Sequence, residues 1–297
     1  MKKKDKGWVV GLGEILWDIF PTCKALGGAP ANFAYHAGLL GMKSLAISAV
    51  GDDALGHEIS STLDAKGLNC MIETVAYPTG VVQVTLDENG VPDYEIVRDV
   101  AWDNIPFTER VEAVARNCRA VCFGSLAQRG EVSRHTIGRF LKAMPQESLK
   151  IFDINLRQSF YSEEIIDSSL RVADMLKINN DELAVVSEMF AIAGSEEQVC
   201  TLIMQRWNLK GMILTKGTDG SLVVMNDRVM SSLPTPVVDV VDTVGAGDAF
   251  TAAFVAATLA GRSTAEAHAL AVEFSAYVCT AQGATPPMPE RYKNMYE

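Results

Sequence analysis

Apolar residues in this chain gather into short, mostly continuous runs. Trp8-Val9-Val10-Gly11-Leu12, Leu45–Val50, Ala120–Phe123, Lys150–Ile154, Met175–Ile178, Met212–Thr215 and Leu222–Met225 are the clearest. Runs of this length, apolar at successive positions, predict strands covered on both faces. Helical spacing fills the gaps. Asp52-Asp53 can cap a helix that carries Leu55, Ile59 and Leu63 on one face, with Gly67 suited to its C′ position. Pro30 stands where the first turn of a helix over Ala31 to Leu40 would begin. Asp181–Ala193 and Ser195–Trp207 read as helices after the Met175 strand. Strand–helix alternation of this kind predicts an α/β fold with a mainly parallel sheet and helices on both faces.

One segment departs from that rhythm. Gly80 to Val97 reads GVVQVTLDENGVPDYEIV, two partly alternating strands around Glu88-Asn89-Gly90, and Asn-Gly is a strong hairpin signal. A hairpin inserted into a parallel chain should project from the main sheet as a small flap. The chain shows no internal repeat, low-complexity tract or Pro/Ser-rich linker, so residues 1–297 are expected to form one domain.

Composition narrows the functional classes. The 297 residues are 48% hydrophobic and 21% charged, the balance of an ordinary globular chain. The net charge is -11, which repels phosphate backbones and anionic lipid and argues against nucleic acid and membrane as partners. An anionic substrate therefore needs a local cluster of donors. The six cysteines form no CxxC pair and the four histidines no HExxH, as expected of reduced thiols in a cytoplasmic protein without a zinc site. Glu14 and Asp18 cut the apolar run behind the N-terminal lysines to about six residues, too short for a secretion signal. Ala249 to Gly261 is too short to span a bilayer.

Three stretches carry chemistry. In Asp242-Thr243-Val244-Gly245-Ala246-Gly247-Asp248 a loop of small residues runs into an apolar helix. The backbone N–H groups of Gly245, Ala246 and Gly247 can approach a ligand closely, and a helix N-terminus favours negative charge. Asp248 in the same turn makes little sense as an anion ligand. It suits a group that accepts a proton from a nucleophile attacking that anion; the alternative is a helix cap on a glycine-rich turn. Near the other end, Gly27-Gly28-Ala29-Pro30-Ala31-Asn32 opens a helix just after Asp18. Asp18 and Asn32 are the groups that read vicinal hydroxyls, although Asn32 could equally be a buried amide. Thr215-Lys216-Gly217-Thr218-Asp219-Gly220 follows a strand but lacks Walker spacing. Gly11-Leu12-Gly13 imitates a dinucleotide fingerprint, but Leu16 takes its third glycine position and Pro21 interrupts any helix.

Taken together, GGAPANFA with Gly41 and Gly51 behind it, Asn179-x-x-Glu182, Thr215-x-Gly217-x-x-Gly220 and DTVGAGDAFTAAFV resemble the PfkB, or ribokinase-like, family of carbohydrate kinases from residue 11 to about 283. The resemblance implies a three-layer α/β/α domain with a small β-sheet lid, here built from about 12–22 and 70–106, and pairing of two copies through that lid. It implies Asp248 as catalytic base and Gly245, Ala246 and Gly247 as the anion hole. Asn179, Glu182, Thr215, Gly217 and Gly220 would serve ATP, with Glu182 organising Mg2+ through water. Asp18, Gly28 and Asn32 would hold a sugar. Asp242 and the Val244 carbonyl fall where some members bind a monovalent cation such as K+. The pair Ala29-Pro30 replaces a lysine that several phosphosugar kinases carry. The FGSLAQR run around Gln128 and the DINLR run around Asn155 and Arg157 are most similar to fructokinases, so free D-fructose is the expected acceptor. Ribokinase, 2-keto-3-deoxygluconate kinase and nucleoside kinase activities stay open, as does a non-catalytic sugar-binding homologue.

Overall fold

The computed structural model describes residues 7–86, 92–226 and 230–296. Its strands are β1 (Trp8–Leu12), β2 (Leu16–Ile19), β3 (Lys24–Gly27), β4 (Ser44–Gly51), β5 (Cys70–Val75), β6 (Val81–Leu86), β7 (Pro92–Ile96), β8 (Cys118–Phe123), β9 (Leu149–Asp153), β10 (Met175–Asn179), β11 (Gly211–Thr215), β12 (Ser221–Met225) and β13 (Met230–Leu233). Its α-helices are α1 (Ala29–Leu39), α2 (Ala54–Ala65), α3 (Glu109–Arg116), α4 (Glu131–Ala143), α5 (Glu163–Val172), α6 (Asn180–Met189), α7 (Glu196–Trp207), α8 (Ala246–Leu259) and α9 (Thr264–Val278).

The large sheet runs β13-β12-β11-β10-β9-β8-β1-β4-β5. Pairings from β5 across to β11 are parallel; β12 and β13 are antiparallel additions at one edge. Successive strand residues divide between two cores, as a pleated strand demands. Val9, Ile151, Met175, Ile213 and Val223 pack with α1, α8 and α9. Val10, Phe152, Leu176, Leu214 and Val224 pack with helices α3 to α7 on the opposite face. The continuous apolar runs are thus two half-patterns laid over each other. This is the ribokinase-like α/β fold, with helices on both sides of a mostly parallel sheet.

A second, smaller sheet is ordered β3-β2-β6-β7 and corresponds in part to the expected lid. It is drawn from 16–27 and 81–96, so its make-up differs from the 12–22 and 70–106 read from sequence. β5 (70–75) pairs with β4 at the edge of the large sheet, and β3 adds residues beyond 22. The difference has a simple cause. β5 is a partly buried edge strand, and its mixed polar pattern in sequence looks like that of a flap. The hairpin of β6 and β7 is present, while its Asn89-Gly90 turn lies outside the described residues.

Local signals for helix ends translate directly. Asp53 caps α2 by accepting the Gly56 N–H at 2.8 Å. The Gly11-Leu12-Gly13 run has a packing explanation: a Cβ on Gly11 would lie 1.8 Å from the Pro30 carbonyl oxygen, so α1 can sit on β1 only over glycine.

Candidate active site

β1 has β4 on one side and β8 on the other, so connections leave it in opposite directions and open a crevice at the C-terminal edge of the sheet. The first turns of α1 and α8 meet there. Asn32 Nδ2 donates to Asp248 Oδ2 at 2.8 Å, joining the two motifs from opposite ends of the sequence. Asn32 is buried by its place in the first turn of α1, and Asp248 is partly buried in that of α8.

Gly245 and Gly247 are glycine for different reasons. Gly245 precedes α8 in the left-handed region, at φ 77°, and a Cβ there would come 2.6 Å from Ala284. A Cβ on Gly247 would lie 2.9 Å from the Lys177 ammonium. The Gly247 N–H belongs to the helix's first turn, where backbone donors have no partner inside the helix. Ala246 N–H makes a long 3.3 Å contact to Thr243 O.

Lys177 is the centre of a charge cluster that the motifs do not reveal. Its Nζ lies 3.1 Å from Asp153 Oδ1, both side chains being almost completely buried. Burial opposes charge on Lys177, but Asp153, Glu182 and Asp248 outweigh it and hold the ammonium above the ordinary lysine value. Burial raises the Asp248 pKa to about 7; Asp153 adds to the rise, while the Asn32 amide and Lys177 oppose it. Glu14, also buried, pushes in the same direction as Asp153. A carboxylate with a pKa near neutrality, beside the donors of a helix N-terminus, can take a proton from an alcohol. Glu14, Asp153 and Lys177 do carry a sequence signal: each is a charged residue in or beside an otherwise apolar strand, and such groups are rarely buried without a partner or a task.

Asn179 and Glu182 form a capping box at the start of α6. Asn179 Oδ1 accepts the Glu182 N–H, and Glu182 Oε2 accepts the Asn179 N–H, both at 2.9 Å. Glu182 Oε1 accepts the Leu156 N–H at 2.9 Å, tying α6 to the loop after β9. With both oxygens engaged, Glu182 suits a hydrated metal better than a directly bound one. Asp242 is similarly held: Oδ1 accepts the Val244 N–H at 3.0 Å and Oδ2 the Gly283 N–H at 2.9 Å. Its carboxylate is thereby fixed between the 242–244 turn and the segment that follows α9. Nearby, His36 Nε2 donates to Ala284 O at 2.8 Å; burial drops its pKa to about 4, so the ring is neutral.

The residues expected at the acceptor fare unequally. Gly28 precedes α1 at φ 126°, and a Cβ there would come 2.5 Å from Glu14 O. Asp18 lies on β2 of the lid, with Oδ2 against Gly27, where a Cβ would be 2.6 Å away. Burial raises its pKa to about 6, against the pull of Arg157. Arg157 is exposed, donates to Leu156 O at 3.0 Å, and its charge lowers the pKa of both Asp18 and Glu14 against their burial. Asn155 takes up a left-handed turn at φ 42°, a backbone role that asparagine tolerates well. Gln128 does not join the cluster. It is buried, its Nε2 donating to Gly124 O at 2.8 Å and Ser169 Oγ at 2.9 Å, so its amide fastens β8 to α5. Its neighbour Arg129 is the residue with reach: it pairs with Asp103 at 2.8 Å, stacks on Trp102 and acts on Glu14.

Thr215, Gly217 and Gly220 line a cavity of about 470 Å³ that runs to Ala246 and Gly247 and is closed by α8, α9 and the 235–243 loop. The crevice and this cavity therefore meet at the first turn of α8, with Asp248 on one side and the small-residue loop on the other. Among the described residues no helix is long and apolar enough to cross a membrane.

Known proteins extend this picture. The pfkB family carbohydrate kinase pattern matches residues 22–291. A fructokinase of Klebsiella pneumoniae is 31% identical over 306 residues, covering 96% of each chain. The uncharacterized sugar kinase PH1459 of Pyrococcus horikoshii is 30% identical over 275 residues, 85% of this chain and 83% of its own. Its crystal structure superposes with a TM-score of 0.80 over 94% of both chains. A fructokinase of Vibrio cholerae, crystallised with fructose, ADP and a potassium ion, shares the fold at a TM-score of 0.76 and 22% identity over 94% of each chain. The chain belongs to the PfkB family of carbohydrate kinases and is a sugar-directed phosphotransferase.

Proposed function

We propose that the protein transfers the γ-phosphoryl group of ATP to a hydroxyl of free D-fructose. The observation that carries the mechanism is the 2.8 Å contact between Asn32 and Asp248 at the junction of crevice and cavity. It supports the reading because it sets an amide beside a carboxylate whose pKa is raised to about 7. The acceptor sits between lid and sheet, with Asp18, Gly28 and Asn32 around it and Arg157 at its rim. Its hydroxyl oxygen attacks the γ-phosphorus, the bond to the β,γ-bridging oxygen breaks, and ADP departs. The hydroxyl proton passes to Asp248. The transition state is loose and the proton moves late, so Asp248 serves mainly to orient the hydroxyl and accept its proton. Charge growing on the phosphoryl oxygens falls on the N–H groups of Gly245 to Gly247, with Ala284 packed behind Gly245 and Lys177 behind Gly247. Glu182 and Asn179 would hold Mg2+ through water, and when bound it neutralises phosphate charge. Asp242 and the Val244 carbonyl would hold K+. The β2–β3–β6–β7 lid keeps water from competing as acceptor.

The choice of fructose rests on the full-length fructokinase relative and on Ala29-Pro30 at the position where phosphosugar kinases carry lysine. ADP release measured with fructose, fructose 1-phosphate, fructose 6-phosphate, ribose and 2-keto-3-deoxygluconate tests it. The highest kcat/KM should belong to fructose; a higher value for any other acceptor replaces it.

A further inference from the structure

The cavity at the first turn of α8 has an unusual lining for a nucleotide site. Val237, Val240, Phe250, Val272 and Ala276 are among its lining residues, and its surface is largely apolar. Among the described residues that line it there is no Asp, Glu, Asn, Gln, His, Lys or Arg. The polar side chains are serine and threonine hydroxyls, with the thiol of Cys279. Ser221 already bonds His268, Thr235 donates to Gly217 O and Ser275 to Val272 O, which leaves the hydroxyls of Thr215, Thr218 and Thr243 to rotate and donate or accept as a neighbour requires. Such a hydroxyl can face the amino group of adenine or the keto group of guanine without being left unpaired. Strong discrimination between such bases comes from a fixed donor or acceptor that the wrong base leaves unsatisfied; an apolar wall discriminates weakly.

Val237 is fully exposed and Val240 is 62% exposed at the rim. A planar base entering here covers them, and that gain depends on apolar area, not on exocyclic groups. Gly247 and the Gly217–Gly220 turn also line the cavity, and the backbone they would offer to phosphates is the same for every nucleoside triphosphate.

We propose that this kinase reads its phosphate donor by shape alone and accepts purine nucleotides with little regard to the base. The inference rests on the cavity being the nucleotide site, but it is independent of the acceptor sugar. ATP, GTP and ITP thus serve as donors of comparable quality.

The test is equilibrium binding by calorimetry of ADP, GDP and IDP to the whole protein with Mg2+, no sugar present. The three dissociation constants should agree within about tenfold. Tighter binding of any one by more than tenfold overturns the proposal, as does no binding of any of them at millimolar concentration. Initial rates with ATP, GTP and ITP on fructose then separate the two readings. Equal nucleotide binding with inert fructose retires the acceptor assignment and leaves donor breadth standing.

Discussion

Replacing Asp248 with Asn should slow the enzyme and stabilise the protein at the same time. In the folded state the Asp248 pKa rises from 3.8 to about 7, with burial as the leading cause. The folded protein therefore binds a proton that the unfolded chain has released over this whole window. Stability falls as pH climbs from about 4 to about 7, and above 7 the full penalty applies. Three pKa units correspond to about 4 kcal/mol as a ceiling. Partial exposure of the side chain and the lost charge on the Asn32 contact reduce that to about 1–2 kcal/mol. Asn keeps the shape and is itself a good helix-start residue. Thermal unfolding at pH 5 and pH 8 should show the Asp248→Asn protein gaining on the wild type at both, and by more at pH 8. Turnover should drop roughly 10²–10⁴-fold, the range for loss of a positioned base. In the wild type, kcat/KM should fall below about pH 7 as Asp248 takes up a proton. Near wild-type turnover in folded Asp248→Asn protein, or equal stability changes at both pH values, would refute this reasoning.

Asp18→Ala and Asn32→Ala should raise the sugar KM or lower kcat at least tenfold while leaving the ATP dissociation constant unchanged, since each lost hydroxyl partner costs about 1–3 kcal/mol. An effect on ATP alone would move the acceptor elsewhere. Gly28→Ala places a Cβ 2.5 Å from Glu14 O at a positive φ, so it should lose at least about 1–3 kcal/mol of stability, read as a fall in Tm. An unchanged Tm removes the argument that the acceptor loop requires glycine. Rates in K+ should exceed those in Na+ or a bulky organic cation, and Asp242→Ala should abolish the difference. Equal rates in all three salts retire the cation site.

Much of this was legible because the signals are local. The runs from Trp8–Leu12 to Leu222–Met225 become strands of the large sheet, as short continuous apolar runs do when both faces are covered. Asp53 caps α2 where its spacing says it should. Residues 70–75, expected in the lid, pair with β4 at the edge of the large sheet, because an edge strand and a flap strand share one polar pattern and differ only in their pairing partner. Gln128 shows a different limit: a polar residue in a suggestive run turned inward to Gly124 and Ser169. Lys177, Asp153 and Glu14 lie far apart in sequence, so no motif contains them. Only the parallel order of β1, β8, β9 and β10 gathers them beneath Asp248.

The central claim is direct transfer of the γ-phosphoryl group from ATP to a fructose hydroxyl, and γ-labelled ATP follows it most directly. With fructose and Mg2+ present, the label should appear in a fructose phosphate at the rate of ADP formation, with little inorganic phosphate. Label that goes to inorganic phosphate at the same rate with or without fructose would contradict the account.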